Sequence, residues 1–203
     1  MKKKLYERIY DDLLNKIVFN ELKSGDVISE TKLCEEYDSS RTPVRQALQK
    51  LEDLGFLDIK DGSGTYITSI NEQDIKNAFE VRKILEIAAA KTSIERIDRS
   101  VLEKLRDQFM DFKENLNSKN YGVKYKNMAL ADWKLHDLII GNSENSLLKE
   151  SALKATYIIR RYQYIYTYGY SRAVDEHIRI IDCLLEKNIE ELTKVLFEHL
   201  SYK

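Results

Sequence analysis

Residues 40–49 read Ser-Arg-Thr-Pro-Val-Arg-Gln-Ala-Leu-Gln, and this stretch decides the interpretation of the chain. Thr42 as N-cap before Pro43 predicts the beginning of a helix, because a proline at the first helical position lacks only an N–H group that has no partner there. Arg41 and Arg45 are four residues apart, so both lie on one face at the beginning of this helix. On spacing alone, a helix with two solvated arginines is an equally good interpretation.

A helix with arginines near its N-terminus is typical of the element that reads base edges in the major groove of DNA. The planar fork of Arg41 or Arg45 can donate two hydrogen bonds to guanine N7 and O6. Ser40 and Thr42 can bind phosphate, helped by the free N–H groups of the helix start. Gln49 lies one turn beyond Arg45 on the same face. The pattern therefore predicts a DNA-reading surface made of these five residues.

The segments on either side of this helix predict a winged helix-turn-helix. Apolar residues at helical spacing precede it, Ser29 can cap a short second helix, and Gly55 ends the helix that contains Arg45. Two strand-like runs around Asp-Gly-Ser-Gly predict a hairpin, in which Gly62 and Gly64 let the backbone approach a groove. The predicted order is helix 5–20, helix 30–37, the helix after Pro43, and strands 57–60 and 65–68.

From residue 71 onward every segment is predicted to be helical, with polar turns between segments. The chain has one proline and seven glycines, and most of them lie before residue 65. We therefore expect a mainly α fold of two domains, a winged helix-turn-helix over 1–70 and an all-α helical bundle over 71–203. The predicted helices of the bundle are 72–97, 100–117, 123–141, 144–168, 171–187 and 188–201.

The composition, 43% hydrophobic and 33% charged, excludes a wholly disordered chain. No apolar run approaches the roughly 18 residues of a membrane span, and no apolar stretch follows the first charges as in a secretion signal. Cys34 and Cys183 are far apart in sequence, and we expect reduced core cysteines in a cytoplasmic protein with no membrane partner. The net charge is −1, and residues 1–70 carry 11 Lys/Arg against 13 Asp/Glu. A DNA-binding function therefore depends on where the few basic residues point.

The chain has only three histidines, His136, His177 and His199, and they fall on three different predicted helices. Asp132 lies four residues before His136, so both project from one helix face. Three imidazoles and one carboxylate from a single bundle can bind Zn, Ni, Mn or Fe, whereas Ca and Mg prefer oxygen ligands. Ordinary surface or hydrogen-bonded core histidines fit the same spacing. A metal-dependent hydrolase is a further alternative, because some phosphohydrolases use a His-Asp doublet such as His136-Asp137.

The N-terminal third of the chain resembles the GntR family of bacterial regulators over about 60 residues. In that family the two arginines and the threonine between them contact operator DNA, and the glycine turn of the wing enters the minor groove. The resemblance implies these roles for Arg41, Thr42, Arg45 and Gly62. Thr31 stands where some members have a DNA-contacting arginine, which points to a different operator preference. The matching residues are Tyr6-Glu7, Ile9, Leu22-Lys23, Gly25-Asp26, Ile28-Ser29-Glu30, Leu33, Ser40-Arg41-Thr42-Pro43-Val44-Arg45, Ala47-Leu48, Leu51 and Gly55.

The rest of the chain is similar to the FCD effector domain of the FadR subfamily, in its shorter, six-helix, VanR-like form. The resemblance implies that Asp132 and the three histidines bind a divalent metal, often at the floor of a pocket for an organic acid. It also suggests Arg82 for the effector carboxylate, with Asn142 and Arg161 as further pocket residues. A structural salt bridge for Arg82 and a helix cap for Asn142 remain alternatives. The matching residues are Arg82, Leu85-Glu86, Ala89-Ala90, Asp132, His136, Ile139, Asn142, Glu176-His177, Ile180 and His199.

These observations predict a transcriptional regulator, by family precedent a repressor, and not an enzyme. A homodimer and a palindromic operator are expected, because helix-turn-helix proteins read two half-sites about one DNA turn apart. A small carboxylate effector bound near the metal is expected to shift the population of helix arrangements and release the double-stranded operator. The alternatives are the hydrolase and a regulator whose metal is purely structural.

Overall fold

The computed structural model describes residues 3–60, 64–115, 121–166 and 170–202, and it does not describe the side chains of 121–126, 166 and 170–172. The chain divides into two compact units, Met1–Glu72 and Gln73–Lys203. The described residues are mostly helical, with a single small sheet, which confirms the predicted fold class.

The N-terminal unit is a winged helix-turn-helix, in which three helices are combined with a small antiparallel sheet. Its elements are α1 Leu5–Val18, β1 Val27–Ile28, α2 Glu30–Glu36, α3 Arg41–Asp53, β2 Leu57–Lys60 and β3 Gly64–Ile67. Strand β3 lies in the middle of the sheet, between β1 and β2. The pairing of Leu57 with Ile67 and of Lys60 with Gly64 forms the predicted hairpin. Strand β1, which pairs Val27 with Tyr66, is absent from the sequence prediction.

Helices α1 and α3 supply most of the core of this unit, because their apolar residues recur every three or four positions and so lie on one face of each helix. Ile9 and Ile17 of α1 and Val44 and Leu51 of α3 are fully buried. Each such side chain contributes about 1.5–3 kcal/mol when it leaves water. Burial of this face of α3 leaves the face with the two arginines at the surface.

Helix α3 begins two residues earlier than predicted. Its N-cap is Ser40 and its first helical residue is Arg41, so the prediction that Thr42 caps the helix and Pro43 follows at the first position is wrong. Pro43 is tolerated as the third helical residue because the first four N–H groups of a helix have no acceptor within it. Ser29 caps α2 as predicted, since its hydroxyl accepts the N–H of Lys32.

The C-terminal unit is an all-α bundle. Its helices are α4 Glu72–Ser93, α5 Arg99–Glu114, α6 Tyr121–Gly141, α7 Ser146–Tyr166, α8 Tyr170–Glu186 and α9 Ile189–His199. Helix α8 packs against α5, α6 and α9, and α6 also packs against α5 and α7. Asp98 and Asn188, predicted as turn residues, accept backbone N–H groups at the beginnings of α5 and α9. Helix α4 ends earlier than predicted, because a turn with the buried residues Ile94 and Ile97 follows Ser93.

The two cysteines are free thiols in different environments. Cys183 is buried as predicted, but Cys34 is only half-buried, because Leu33 is the buried residue of α2. Within the described ranges, no helix has both the length and the apolar character that a bilayer crossing requires.

Candidate metal centre and DNA-reading helix

Three helices of the C-terminal unit bring the four predicted metal ligands to one point. Asp132 and His136 are one turn apart on α6, His177 lies on α8, and His199 is the last residue of α9. Their candidate ligand atoms all lie within 4.8 Å of one another. Because α6 and α9 both adjoin α8, the packing of the bundle itself assembles the cluster. The structure thus brings together all four residues that the sequence selected.

The contacts of Asp132 with two imidazoles of the cluster are short but do not have the angles of ordinary hydrogen bonds. His177 Nε2 lies 2.5 Å from Asp132 Oδ1, and His136 Nε2 lies 3.2 Å from the same oxygen. His136 Nε2 is also 3.2 Å from His199 Nε2. Among the described residues, both carboxylate oxygens of Asp132 and both ring nitrogens of His177 are buried without a hydrogen-bond partner of suitable angle. Buried polar atoms that lack a hydrogen-bond partner and lie beside other ligand atoms, as those of Asp132 and His177 do, fit a shared cation.

Burial and charge hold Asp132 and His199 in the protonation states that bind a metal. Asp132 and His177 are 1% exposed. Burial alone would raise the pKa of Asp132, but the imidazoles of His177 and His136 outweigh it and hold this pKa well below its usual value. Burial, with the neighbouring His177, lowers the pKa of His199 to about 4, so its imidazole is neutral at physiological pH. A carboxylate and a neutral imidazole are the forms that coordinate metals.

Two carboxylates outside the cluster orient two of its imidazoles. Glu86 of α4 contacts His136 Nδ1, and Glu176 Oε2 lies 2.8 Å from His199 Nδ1. Metal-binding histidines commonly use their second ring nitrogen in this way, which fixes the tautomer and the ring orientation. Phe109 stacks on the ring of His177, with the centroids 4.8 Å apart. The sequence alone assigned no role to Glu86 or Glu176, although both stand in the motifs that carry the family resemblance.

Arg82 continues this chain of contacts away from the cluster. Its Nε lies 3.1 Å from Glu86 Oε2, and the two side chains are 2% and 0% exposed. Burial raises the pKa of Glu86, but His136 and Arg82 outweigh it and keep this pKa below the usual value. For His136, burial and Arg82 lower the pKa, and the two carboxylates Glu86 and Asp132 outweigh them and raise it. Arg82 therefore belongs to a buried ion pair that leads directly to a cluster imidazole.

The other predicted effector residues lie in different settings. Arg161 of α7 is buried, with 2% of its surface exposed. Asn142 follows the end of α6, and its side-chain amide donates to the carbonyl of Leu138 at 2.9 Å, which caps the helix. Asp137, the second member of the His-Asp doublet, points away from the cluster: its side chain is 57% exposed and lies 2.5 Å from Arg160 Nη2. The doublet therefore does not act as one ligand pair in this structure.

Four of the predicted DNA-reading residues lie at the exposed beginning of α3, and Gln49 lies one turn beyond Arg45 on the same helix. Ser40, Arg41, Thr42, Arg45 and Gln49 are all exposed, whereas Gly62 lies outside the described residues. Arg45 is not turned inward, and its side chain is 63% exposed. It is nevertheless ion-paired, with Nε 3.2 and 3.0 Å from the two carboxylate oxygens of Glu30. The amide of Gln49 donates to Glu52 and Asp53 of its own helix.

Comparison with known proteins matches both units of the chain. Residues 5–67 match the family described as bacterial regulatory proteins, gntR family, and residues 77–202 match the FCD domain. The uncharacterized HTH-type transcriptional regulator YdhC of Bacillus subtilis (strain 168) is 28% identical over 201 residues, which cover 97% of this chain and 88% of that protein.

A second relative and a solved structure extend this comparison. The HTH-type transcriptional repressor RspR of Escherichia coli (strain K12) is 24% identical over 200 residues, which cover 96% of this chain and 85% of that protein. The solved structure of E. coli McbR/YncC superimposes with a TM-score of 0.77 at 19% identity, covering 98% of this chain and 94% of that one. At this identity the structural match shows the fold alone.

Proposed function

Because the chain belongs to the GntR family of bacterial regulatory proteins and carries an FCD domain, we propose that it is a repressor of the FadR subfamily that a small ligand releases from its operator. The families and relatives that it matches are transcriptional regulators and not enzymes. The repressor role is supported by the name of the relative RspR. The observation that carries the proposal is the exposed, arginine-bearing beginning of α3. A DNA-binding regulator of this kind acts in the cytoplasm.

In the proposed complex, α3 enters the major groove with its N-terminal residues against the base edges. Arg41 and Arg45 read guanines, Ser40 and Thr42 bind phosphate, and Gln49 contacts the next bases or the backbone. The wing glycine Gly62 approaches the minor groove, as the family resemblance implies. A homodimer presents two such helices to two half-sites, so the operator is palindromic.

Selection from a pool of random duplexes tests this proposal, because such a selection requires no operator sequence in advance. We expect the protein to enrich one palindromic sequence with half-site centres about 10 base pairs, or one DNA turn, apart. Light scattering of the complex should give two chains per duplex. Enrichment of no sequence above background at moderate salt would refute the DNA-reading role of α3.

We propose further that Asp132, His136, His177 and His199 hold one divalent metal ion of the Zn, Ni, Mn or Fe type. This is supported by the convergence of four ligand atoms, by the buried atoms of Asp132 and His177 that lack hydrogen bonds, and by the carboxylates behind His136 and His199. When bound, such an ion offers an open coordination position and attraction for an anionic oxygen.

The effector in this proposal is a small carboxylate bound near the cluster, with Arg82, Asn142 and Arg161 as the protein groups that contact it. Support comes from the buried positions of the two arginines and from the link between Arg82 and His136 through Glu86. Thermal melting with acetate, lactate and citrate tests it, because a ligand that binds only the folded state raises the melting temperature. A rise in the metal-loaded protein alone supports an effector at the metal. The same melting curve with and without each acid would favour a purely structural metal.

The buried pair of Arg82 and Glu86 gives a prediction for stability. Replacing Arg82 with Met should lower the free energy of unfolding by about 3–5 kcal/mol, because the buried Glu86 carboxylate loses its guanidinium partner. Urea denaturation of the purified variant measures the change. The double variant Arg82→Met/Glu86→Gln should recover part of the loss.

Arg99→Met is the matched control for this experiment. Arg99 also pairs with a glutamate four residues on, Glu103, but its side chain is 70% exposed. An exposed pair contributes little to stability, so this control should unfold almost like the wild type. An equal decrease in the free energy of unfolding of the two variants would show that the buried Arg82 pair stabilises the fold no more than an exposed pair does.

A further inference from the structure

The guanidinium of Arg45 rests on a carboxylate of the neighbouring helix. Both oxygens of Glu30, the first residue of α2, lie within hydrogen-bond distance of Arg45 Nε, at 3.2 and 3.0 Å. The two side chains remain in contact with solvent, being 63% and 33% exposed. Ser29 caps α2 immediately before Glu30, so the backbone that carries this carboxylate is held at the helix start. The pair therefore links the two helices of the helix-turn-helix at its exposed surface.

The contact with Glu30 uses Nε of Arg45 and leaves the two terminal nitrogens, Nη1 and Nη2, available. In the described part of the chain, neither terminal nitrogen of Arg45 has a hydrogen-bond partner. The two terminal groups form the end of the guanidinium fork, and they can donate together to N7 and O6 of one guanine. A carboxylate on Nε thus holds the side chain in place while its reading end faces outward.

The same carboxylate carries a cost for binding DNA in general. Glu30 places a negative charge beside a surface that must approach phosphates, and such a charge weakens attraction to any duplex regardless of sequence. A residue with only this effect would weaken DNA binding without improving the choice of sequence. Holding Arg45 in its reading position can offset this loss. A flexible arginine loses conformational freedom when it binds a base, and an arginine that is already held in place loses less.

We propose that Glu30 is a positioning residue for specificity, which orients Arg45 toward one base pair and lowers the affinity for all other DNA. This inference rests on the proposed function, since it requires that α3 reads a duplex. Arg41 provides an internal comparison, because it occupies the same face of α3 without a partner among the described residues. Removal of Glu30 should therefore affect the base read by Arg45 and spare the base read by Arg41.

The test measures the binding of the full-length protein to three kinds of duplex. These are the operator selected by the wild-type protein, its single-base variants, and a scrambled duplex of the same length. The variants Arg41→Ala and Arg45→Ala first identify the base pair that each arginine reads. Glu30→Ala should then reduce discrimination at the Arg45 base pair by up to about fivefold, the range of an exposed ion pair. Discrimination at the Arg41 base pair should not change, and binding to the scrambled duplex should strengthen.

Three further variants separate positioning from a simple charge effect. Glu35→Ala removes the same charge from an exposed position of α2, and it should strengthen binding to the scrambled duplex without loss of discrimination. Glu30→Gln keeps one acceptor oxygen for Arg45 and should lose less discrimination than Glu30→Ala. In the double variant with Arg45→Ala, the Glu30→Ala substitution should have no further effect on discrimination.

Several results would overturn this inference. Unchanged discrimination in Glu30→Ala would show that Arg45 needs no support. A loss at a base pair that Arg45 does not read, or a loss that persists in the Arg45→Ala background, would mean that Glu30 contacts a base itself. If the wild-type protein selects no operator at all, the proposed function fails before this question arises. A circular dichroism spectrum identical to that of the wild type excludes misfolding as the cause of any change.

Discussion

Replacing Asp132 with Ala should abolish metal binding, whereas the same replacement of Asp137 should leave it intact. Asp132 Oδ1 lies closest to two of the three imidazoles, so the variant lacks the one anionic ligand of the cluster. Asp137 is on the same helix but points to solvent and Arg160. Elemental analysis of protein purified without chelators should give about one ion per chain for the wild type and Asp137→Ala, and close to none for Asp132→Ala.

Graded substitutions around the cluster make this prediction sharper. His177→Ala should lose the metal as Asp132→Ala does. Glu86→Gln should weaken metal affinity by about 10–100-fold, the usual effect of removing an outer carboxylate that orients a ligand. Metal at a concentration of 100 times its Kd stabilises the wild-type protein by about 2.7 kcal/mol. Removal of the metal by EDTA should therefore lower the melting temperature of the wild type but not that of Asp132→Ala. Full metal content in both Asp132→Ala and His177→Ala would show that the ion binds elsewhere.

Replacing Arg41 and Arg45 together with Ala should remove specific operator binding. Each arginine that makes a bidentate contact with guanine is worth about 1–3 kcal/mol, so each single variant should bind about 5–150-fold more weakly. The double variant combines two losses of this size. Fluorescence anisotropy with the selected operator measures these affinities at a fixed salt concentration, because protein–DNA affinity depends steeply on salt.

The control for this experiment is Arg99→Ala, which removes the same charge from an exposed position of the other unit. It should bind the operator like the wild type. A phosphate contact predicts a different pattern, since its loss weakens binding to all sequences equally and lowers the salt dependence. Operator affinity unchanged in the Arg41→Ala/Arg45→Ala variant would remove α3 as the reading element.

Regular helices and the ligand set could be predicted from sequence because both leave local patterns. The apolar spacing around Ile9 and Ile17 identifies α1, and Asp132 and His136 are one turn apart on a single helix. The choice of His177 and His199 was possible because the chain has no other histidines besides His136, and the family resemblance then singled out the same set.

Contacts between distant segments could not be predicted in the same way. Glu86 is 50 residues from His136, and Glu30 is 15 residues from Arg45, so no local period connects them. Strand β1 has two residues, which is too short for an alternating pattern. The boundary of α3 was missed for another reason, because Pro43 is compatible with any position in the first turn of a helix.

All three histidines of the chain lie in one cluster, so any spectroscopic or chemical signal from histidine reports on this cluster alone. Every imidazole resonance in an NMR spectrum of the chain arises from this cluster. Isotope labelling of histidine alone would therefore let NMR monitor metal binding to the cluster without signals from other sites. Chemical modification by an imidazole-selective reagent has the same advantage, and protection of the rings by a bound ion could be read directly from the mass of the intact protein.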